Sequence, residues 1–242
     1  MVGLSLEGND LGQPDAIPSL PPSLDILWLK AANLSRFPES ISSCKALKEL
    51  NVSENHLTEV GKCVCSMPEL LELFVSCNML RGLPEGISQG AIRLEVLDLS
   101  YNDFLVCPEE LASMPNLERL NLSGNPLCSN PDDFQVDLGA TVALYWQFPV
   151  PDRITETLFI GNIETSRNRF GLQSLGITHI IAAAPFQPLY PTLFKYMILD
   201  TPDDPSPDLL VHFNECNKFI QMAKMAGGKT LIYDQTGTSR AP

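Results

Sequence analysis

Six stretches of this chain can be laid over one another without gaps: MVGLSLEGNDL (1–11), LDILWLKAANL (24–34), LKELNVSENHL (47–57), LLELFVSCNML (70–80), LEVLDLSYNDF (94–104) and LERLNLSGNPL (117–127). Their starts differ by 23, 23, 23, 24 and 23 residues. A fixed period of this length makes each copy one unit that buries its apolar side only against the copies before and after it. Each copy opens on a short alternating strand, so its fourth and sixth residues, such as Leu50 and Val52, point inward and the residues between them face out. The asparagines Asn9, Asn55, Asn78, Asn102 and Asn125 recur where the chain turns away from the strand. A buried amide there can serve backbone groups of its own turn and of the neighbouring one, forming a ladder. Ala32 interrupts that ladder in the second copy, which predicts a local irregularity.

These copies resemble the leucine-rich repeat, Leu-x-x-Leu-x-Leu-x-x-Asn-x-Leu, and imply a curved solenoid. The stretches FPESISSCKA, LPEGISQGAI and CPEELASMPN carry short amphipathic segments suited to the convex side. No capping element precedes the first copy, so it is expected to fray. Along the concave face one outward column reads Ser5, Trp28, Asn51, Phe74, Asp98, Asn121. The column beside it reads Gly3, Ile26, Glu49, Glu72, Val96, Arg119. Trp28 and Phe74 stand out as anchors among the acids Glu49, Glu72 and Asp98, a pattern suited to a protein partner with a basic segment.

Charge separates the two halves. Residues 1–148 hold 20 acidic and 8 basic residues, a balance of −12, whereas residues 149–242 hold 9 and 8, a balance of −1. The shift places a domain boundary near 148, dividing a solenoid at 1–148 from a second domain at 149–242. Acidity argues against a nucleic-acid partner. No apolar run reaches the roughly 20 residues of a membrane span, and no signal peptide is evident, so a cytoplasmic protein is expected. In that compartment the seven cysteines read as free thiols and the Asn-x-Ser sequons as idle. Cys63 and Cys65 lack a second ligand pair, so neither metal nor cofactor is expected.

After a connector, LYWQFPVPDRI, the second half alternates strand and helix: TLFIGN, a helical stretch, THIIAAA, FKYMILD, a helix over PDLLVHFNECNKFIQMAKMAGG, and KTLIYD. This predicts an α/β sheet with ligand-binding loops at the strands' carboxyl ends. The long helix is expected to bury Leu209, Leu210, Phe213, Cys216, Asn217 and Ile220, with Cys216 a core residue rather than a nucleophile. LFIGN, LGITHII, FKYMILDTPDD, NKFI and DQTGTSR resemble the dual-specificity (tyrosine and serine/threonine) protein phosphatases over about 150–242. That family carries His-Cys, five residues including Gly and Ser, then Arg. The loop's N–H groups surround phosphate, the Arg grips it and the thiolate attacks.

The resemblance implies a phosphate-binding loop at Asp234, Gln235, Thr236, Gly237, Thr238, Ser239 and Arg240. Gly237, Ser239 and Arg240 match the pattern, but Tyr233 replaces the His and Asp234 the Cys. Asp203 falls on the general-acid position, with Asp200 and Asp204 as neighbours able to compete for it. Asp-x-Thr-Gly-Thr also matches an aspartyl-phosphate motif, but the eight residues after Asp234 leave no room for its lysine and magnesium site. A carboxylate is a poor nucleophile in a cysteine phosphatase loop and opposes an incoming phosphate. The sequence therefore leads to an expectation of no enzyme, a catalytically inactive scaffold or regulator in phosphorylation signalling, with a protein kinase or phosphoprotein as partner. The alternatives are an active phosphatase of that family, should Asp234 or the chain's end be an artefact of the sequence, and a second half that only caps the solenoid. The domain is expected to be incomplete, with one face of its sheet uncovered.

Overall fold

The structure, a computed structural model, describes residues 2–12, 17, 20–129, 137–138, 142–145, 147–183, 187–199 and 210–235. Two compact units divide the chain, Met1–Gln147 and Phe148–Pro242.

The first unit is a parallel sheet of seven three-residue strands in chain order: β1 (Gly3–Ser5), β2 (Ile26–Trp28), β3 (Glu49–Asn51), β4 (Glu72–Phe74), β5 (Val96–Asp98), β6 (Arg119–Asn121) and β7 (Ala143–Tyr145). Leu27, Leu50, Leu73, Leu97 and Leu120 stand in register on the buried face, and Leu29, Val52, Val75, Leu99 and Leu122 follow them into the core. Short 3-10 turns at Glu39–Ser43, Lys62–Ser66 and Glu109–Ser113, and one turn of α-helix, α1 (Ile87–Gly90), return the chain on the other side. At Gly90 a Cβ would overlap the backbone carbonyl of Cys65, so two successive turns pack closer than any side chain permits.

Asparagines lock the repeats together. Asn55 accepts the Ala32 and Leu34 N–H groups at 3.0 and 2.9 Å and donates to the carbonyls of Leu29, Val52 and Ser53. Asn78 accepts from Leu57 and donates to Val52, Val75 and Ser76. Asn102 accepts from Leu80 and donates to Val75, Leu99 and Ser100. Asn125 accepts from Phe104 and donates to Leu99 and Leu122. Buried backbone groups of these turns thereby find partners without water. Where Ala32 stands, the Leu11 N–H is accepted by the Ala32 carbonyl at 3.0 Å and by the Asn9 carbonyl at 3.1 Å. The backbone takes over the missing amide's task, and Asn33 adopts φ 57°, an extra left-handed residue peculiar to this copy. Left-handed residues at Gly8, Ala31, Glu54, Cys77, Tyr101 and Gly124 recur with the period, immediately before each ladder position.

The first copy, expected to fray, is paired in register along Gly3–Ile26, Leu4–Leu27 and Ser5–Trp28. The connector reading of 144–154 needs correction, because β7 occupies its start and a strand at Asp152–Arg153 its end. Without β7 the open edge of β6 would lack partners. Instead Ala143 N–H reaches Glu118 O, Leu122 N–H reaches Tyr145 O and Gly124 N–H reaches Gln147 O.

The second unit is a five-stranded sheet in the order β11-β10-β12-β9-β8, built from β8 (Asp152–Arg153), β9 (Leu158–Gly161), β10 (Ile177–Ala182), β11 (Lys195–Ile198) and β12 (Lys229–Tyr233). All neighbours are parallel except β8 against β9. One face packs Phe159, Ile180, Leu231 and Tyr233 against Leu172 of α3 (Arg169–Ser174), which follows α2 (Ile163–Arg167). The other packs Ile181 and Ile232 against Cys216, Phe219 and Ile220 of α4 (Leu210–Met225). Helices therefore cover both faces, contrary to the expectation of a bare side.

The expected inward face of α4 also needs correction. Phe213 is 55% exposed and Asn217 is exposed, while His212, Cys216, Phe219, Ile220 and Ala223 turn inward. Apolar residues occur around most of this helix, so contact with β10 and β12 sets its rotation. The T-shaped approach of Phe219 to His179, with centroids 4.9 Å apart, is one such contact. Leu209 lies outside the described residues, as does the side chain of Leu210.

Candidate functional site

In the second unit the carboxyl ends of three parallel strands coincide: Gly161 of β9 pairs with Tyr233 of β12, and Ala182 of β10 pairs with Tyr233 on the other side. The Ala183 N–H donates to the Tyr233 carbonyl at 2.8 Å. Asp234 follows at once, 3% exposed although it carries a carboxyl group. Gln235 beside it is exposed. A loop leaving the carboxyl edge of a central parallel strand occupies the place where open α/β sheets bind ligands. Thr236, Gly237, Thr238, Ser239 and Arg240 lie outside the described residues, as do Asp200, Asp203 and Asp204.

The surroundings of Asp234 are set by short-range chemistry. At Gly161 a Cβ would overlap the Thr165 hydroxyl, so glycine lets α2 begin directly behind β9. Asn162 caps that helix, its side-chain oxygen accepting the Thr165 N–H at 3.0 Å. Asn168 caps α3 by accepting the Gly171 N–H at 2.9 Å and donates to the Pro149 carbonyl at 2.7 Å. Burial pushes the Tyr233 phenol up to about 12, although a hydrogen bond with Ser166 and the positive charge of Arg167 pull the other way. The residue preceding Asp234 is thus a neutral phenol across the physiological range, in the place the resemblance gives to an imidazole. Burial among apolar side chains also raises the Cys216 thiol, with Glu215 adding to the effect. Cys216 packs in the cluster around Ile181.

In the first unit the two outward columns form as continuous rows, Ser5–Trp28–Asn51–Phe74–Asp98–Asn121 and Gly3–Ile26–Glu49–Glu72–Val96–Arg119. Both are longer than the six copies suggest, since β7 adds Tyr145 and Ala143. Extending the period by 24 residues from Asn121 reaches Tyr145, a signal available in the numbering but masked by the lack of a leucine pattern around it. Trp28 is 37% exposed and its indole N–H donates to Glu49 at 2.7 Å. Phe74 is half-buried. Asp98 serves a local purpose: its carboxylate accepts the Ser100 N–H at 3.0 Å and the Ser100 hydroxyl at 2.6 Å. Asn51 and Asn121 accept the N–H of Ser53 and Ser123 in the same way, so this column position builds the turn in each of these three repeats.

Among the described residues no group of three or more metal-ligating side chains occurs. No helix there is long and apolar enough to cross a membrane.

A family model described as leucine rich repeat matches residues 68–127. The chain is 40% identical over 98 residues to MAP kinase phosphatase with leucine-rich repeats protein 2 of Dictyostelium discoideum, a match covering 40% of this chain and 14% of that protein. It is 37% identical over 89 residues to dual specificity protein phosphatase 1B of Arabidopsis thaliana, covering 36% of this chain and 53% of that one. The chain thus spans from about a seventh to about half of these relatives' length. Among solved structures, a leucine-rich-repeat protein of Leptospira interrogans aligns with TM-score 0.52 at 21% identity, covering 82% of this chain and 44% of that chain, a likeness of fold alone.

These names correct the expectation of no enzyme. It rests on Asp234 at the nucleophile position and on a domain read as incomplete, while the sequence relatives are themselves named as phosphatases. The chain carries leucine-rich repeats, matched at residues 68–127, and is similar to a MAP kinase phosphatase with leucine-rich repeats and to a dual specificity protein phosphatase.

Proposed function

We propose that this chain acts in phosphorylation signalling on phosphorylated proteins, protein kinases of the MAP type among them. In this reading the concave sheet of Met1–Gln147 docks the partner protein, and the unit Phe148–Pro242 presents the carboxyl edge of β12 to a phosphorylated segment. The observation that carries it is the placement of Asp234, buried at the shared carboxyl end of three parallel strands and opening the stretch DQTGTSR. Similarity to leucine-rich-repeat MAP kinase phosphatases supports the pairing of the two tasks.

The test is phosphate release from, and calorimetric binding of, a doubly phosphorylated MAP-kinase activation-loop peptide, for wild type, Asp234→Cys and Arg240→Ala. Wild type is expected to bind the peptide. Asp234→Cys is expected to release phosphate faster than wild type, because a thiolate is the stronger nucleophile. Arg240→Ala is expected to weaken binding by about tenfold, the loss of a bidentate phosphate contact. The reading falls if neither wild type nor Asp234→Cys binds the peptide or releases phosphate from it.

A further inference from the structure

The concave face of the first unit carries a charge arrangement that its own residues leave unbalanced. Glu49 of β3 and Glu72 of β4 are register partners on adjacent parallel strands. Like charges placed directly across a ladder destabilise it. Four cations on this unit pair elsewhere, Lys30 with Glu54 at 3.4 Å, Lys48 with Asp25 at 3.2 Å, Arg81 with Asp103 at 4.0 Å and Arg93 with Glu69, and Arg119, in the same row, is separated from Glu72 by Val96 of β5. Lys45 donates to the Ser66 carbonyl. Among the described residues no salt bridge forms to Glu49 or Glu72.

Beside this pair stands Trp28, whose indole N–H is held by Glu49. Its register partners are the short side chains of Ser5 and Asn51, and Trp28 is 37% exposed. A planar cation stacked on the exposed indole would have the Glu49 carboxylate at the ring's edge and Glu72 on the next strand. Guanidinium fits that combination better than ammonium, because it stacks flat and donates through several N–H groups at once.

We propose that this face binds an extended basic segment of a partner protein and selects arginine over lysine, with one guanidinium stacked on Trp28 and reaching the adjoining Glu49–Glu72 pair. The inference rests on the docking role given above to the concave sheet. Complementary charge argues for the occupant, since this unit's balance of −12 comes from 20 acidic against 8 basic residues over 1–148. Asp98 has no part in the seat, because its carboxylate is committed to Ser100.

The experiment uses the whole chain and two fluorescein-labelled probes of equal charge, hexa-arginine and hexa-lysine, followed by anisotropy at fixed ionic strength. The arginine peptide is expected to bind about tenfold more tightly than the lysine peptide. Trp28→Ala and Glu72→Gln are each expected to weaken it by about fivefold or more. The double variant Glu109→Gln plus Glu110→Gln, which removes equal or greater charge from a 3-10 turn outside the sheet, is expected to leave binding unchanged. Equal affinity for the two probes, an equal loss in the Glu109/Glu110 variant, or no binding of either probe overturns the proposal. Phosphate release from the kinase peptide is scored separately, so a chain that releases phosphate yet shows no arginine preference refutes this inference and leaves the phosphorylation role standing.

Discussion

The two units solve the same problem, burying a parallel sheet, with opposite connectivity. In the solenoid every strand pairs with its neighbours in sequence, and Asn55, Asn78, Asn102 and Asn125 tie each turn to the next. In the second unit β12 lies between β10 and β9, so strands distant in sequence meet at the centre. The first design confines the consequence of a change to adjoining repeats. The second makes one strand responsible for the whole sheet.

The largest effect expected from breaking this contrast is that of Asn78→Leu. It strands the Leu57 N–H, removes one of the hydrogen bonds held by each of the carbonyls of Val52, Val75 and Ser76, and should cost about 4 kcal/mol. Hydrogen exchange should accelerate around residues 52–80 while β1 and β6 keep their protection; uniform loss along the solenoid would refute confinement. Leu231→Ala, at a fully buried position of β12, should cost about 3 kcal/mol. Here exchange should accelerate in β9, β10 and β11 together, and loss restricted to β12 would erase the distinction.

A smaller change sharpens the comparison from the stabilising side. The Thr230 hydroxyl is buried in β12 without a hydrogen-bond partner. Thr230→Val keeps the shape and should stabilise the second unit by about 1 kcal/mol, read as a higher urea midpoint with an unchanged slope.

The smallest effect concerns His179, whose proton affinity is lowered by burial and then by the charge of Lys195. The native ring binds a proton less readily than the unfolded ring, so the unfolded state gains protons first as pH falls. Stability of the second unit should hold above the ordinary histidine value of about 6.5 and decline as pH drops below it toward the lowered native value. His179→Phe should remove that slope between pH 7 and 5; a slope unchanged in the variant would assign it to other groups.

Legibility in the sequence follows the same division. Period and leucine spacing were enough to place Leu50 and Val52 inside and to align the outward columns, because repetition turns local pattern into tertiary register. β7 is not legible in the sequence, since Ala143, Leu144 and Tyr145 are all exposed, and its reason to exist is backbone hydrogen bonding at the edge of β6, which leaves no side-chain signature. The irregularity expected at Ala32 is present at Asn33, yet its repair by a backbone carbonyl could not be read from residue types. In the second unit the strands and α4 were visible as alternation, but the face of α4 was not, since Phe213 and Phe219 are equally apolar and only packing distinguishes them. The concave acids looked alike in the sequence; hydrogen bonding separates Asp98, a turn former, from Glu49, which orients Trp28. At the strand end, Asp234 was legible as a substitution within a resemblance, whereas its burial depends on β9 and β10 closing around β12.

The position of β12 has a consequence for the timing of synthesis. As the chain leaves the ribosome, each repeat of the solenoid finds its neighbour already made and can stack within seconds of its appearance. β9 and β10 have no such neighbour: the strand that must lie between them emerges only after α4, some 50 residues behind β10. Throughout that interval Phe159, Ile180 and Ile181 are without the strand they pack beside, so the nascent second unit waits as an open sheet while the first is already folded.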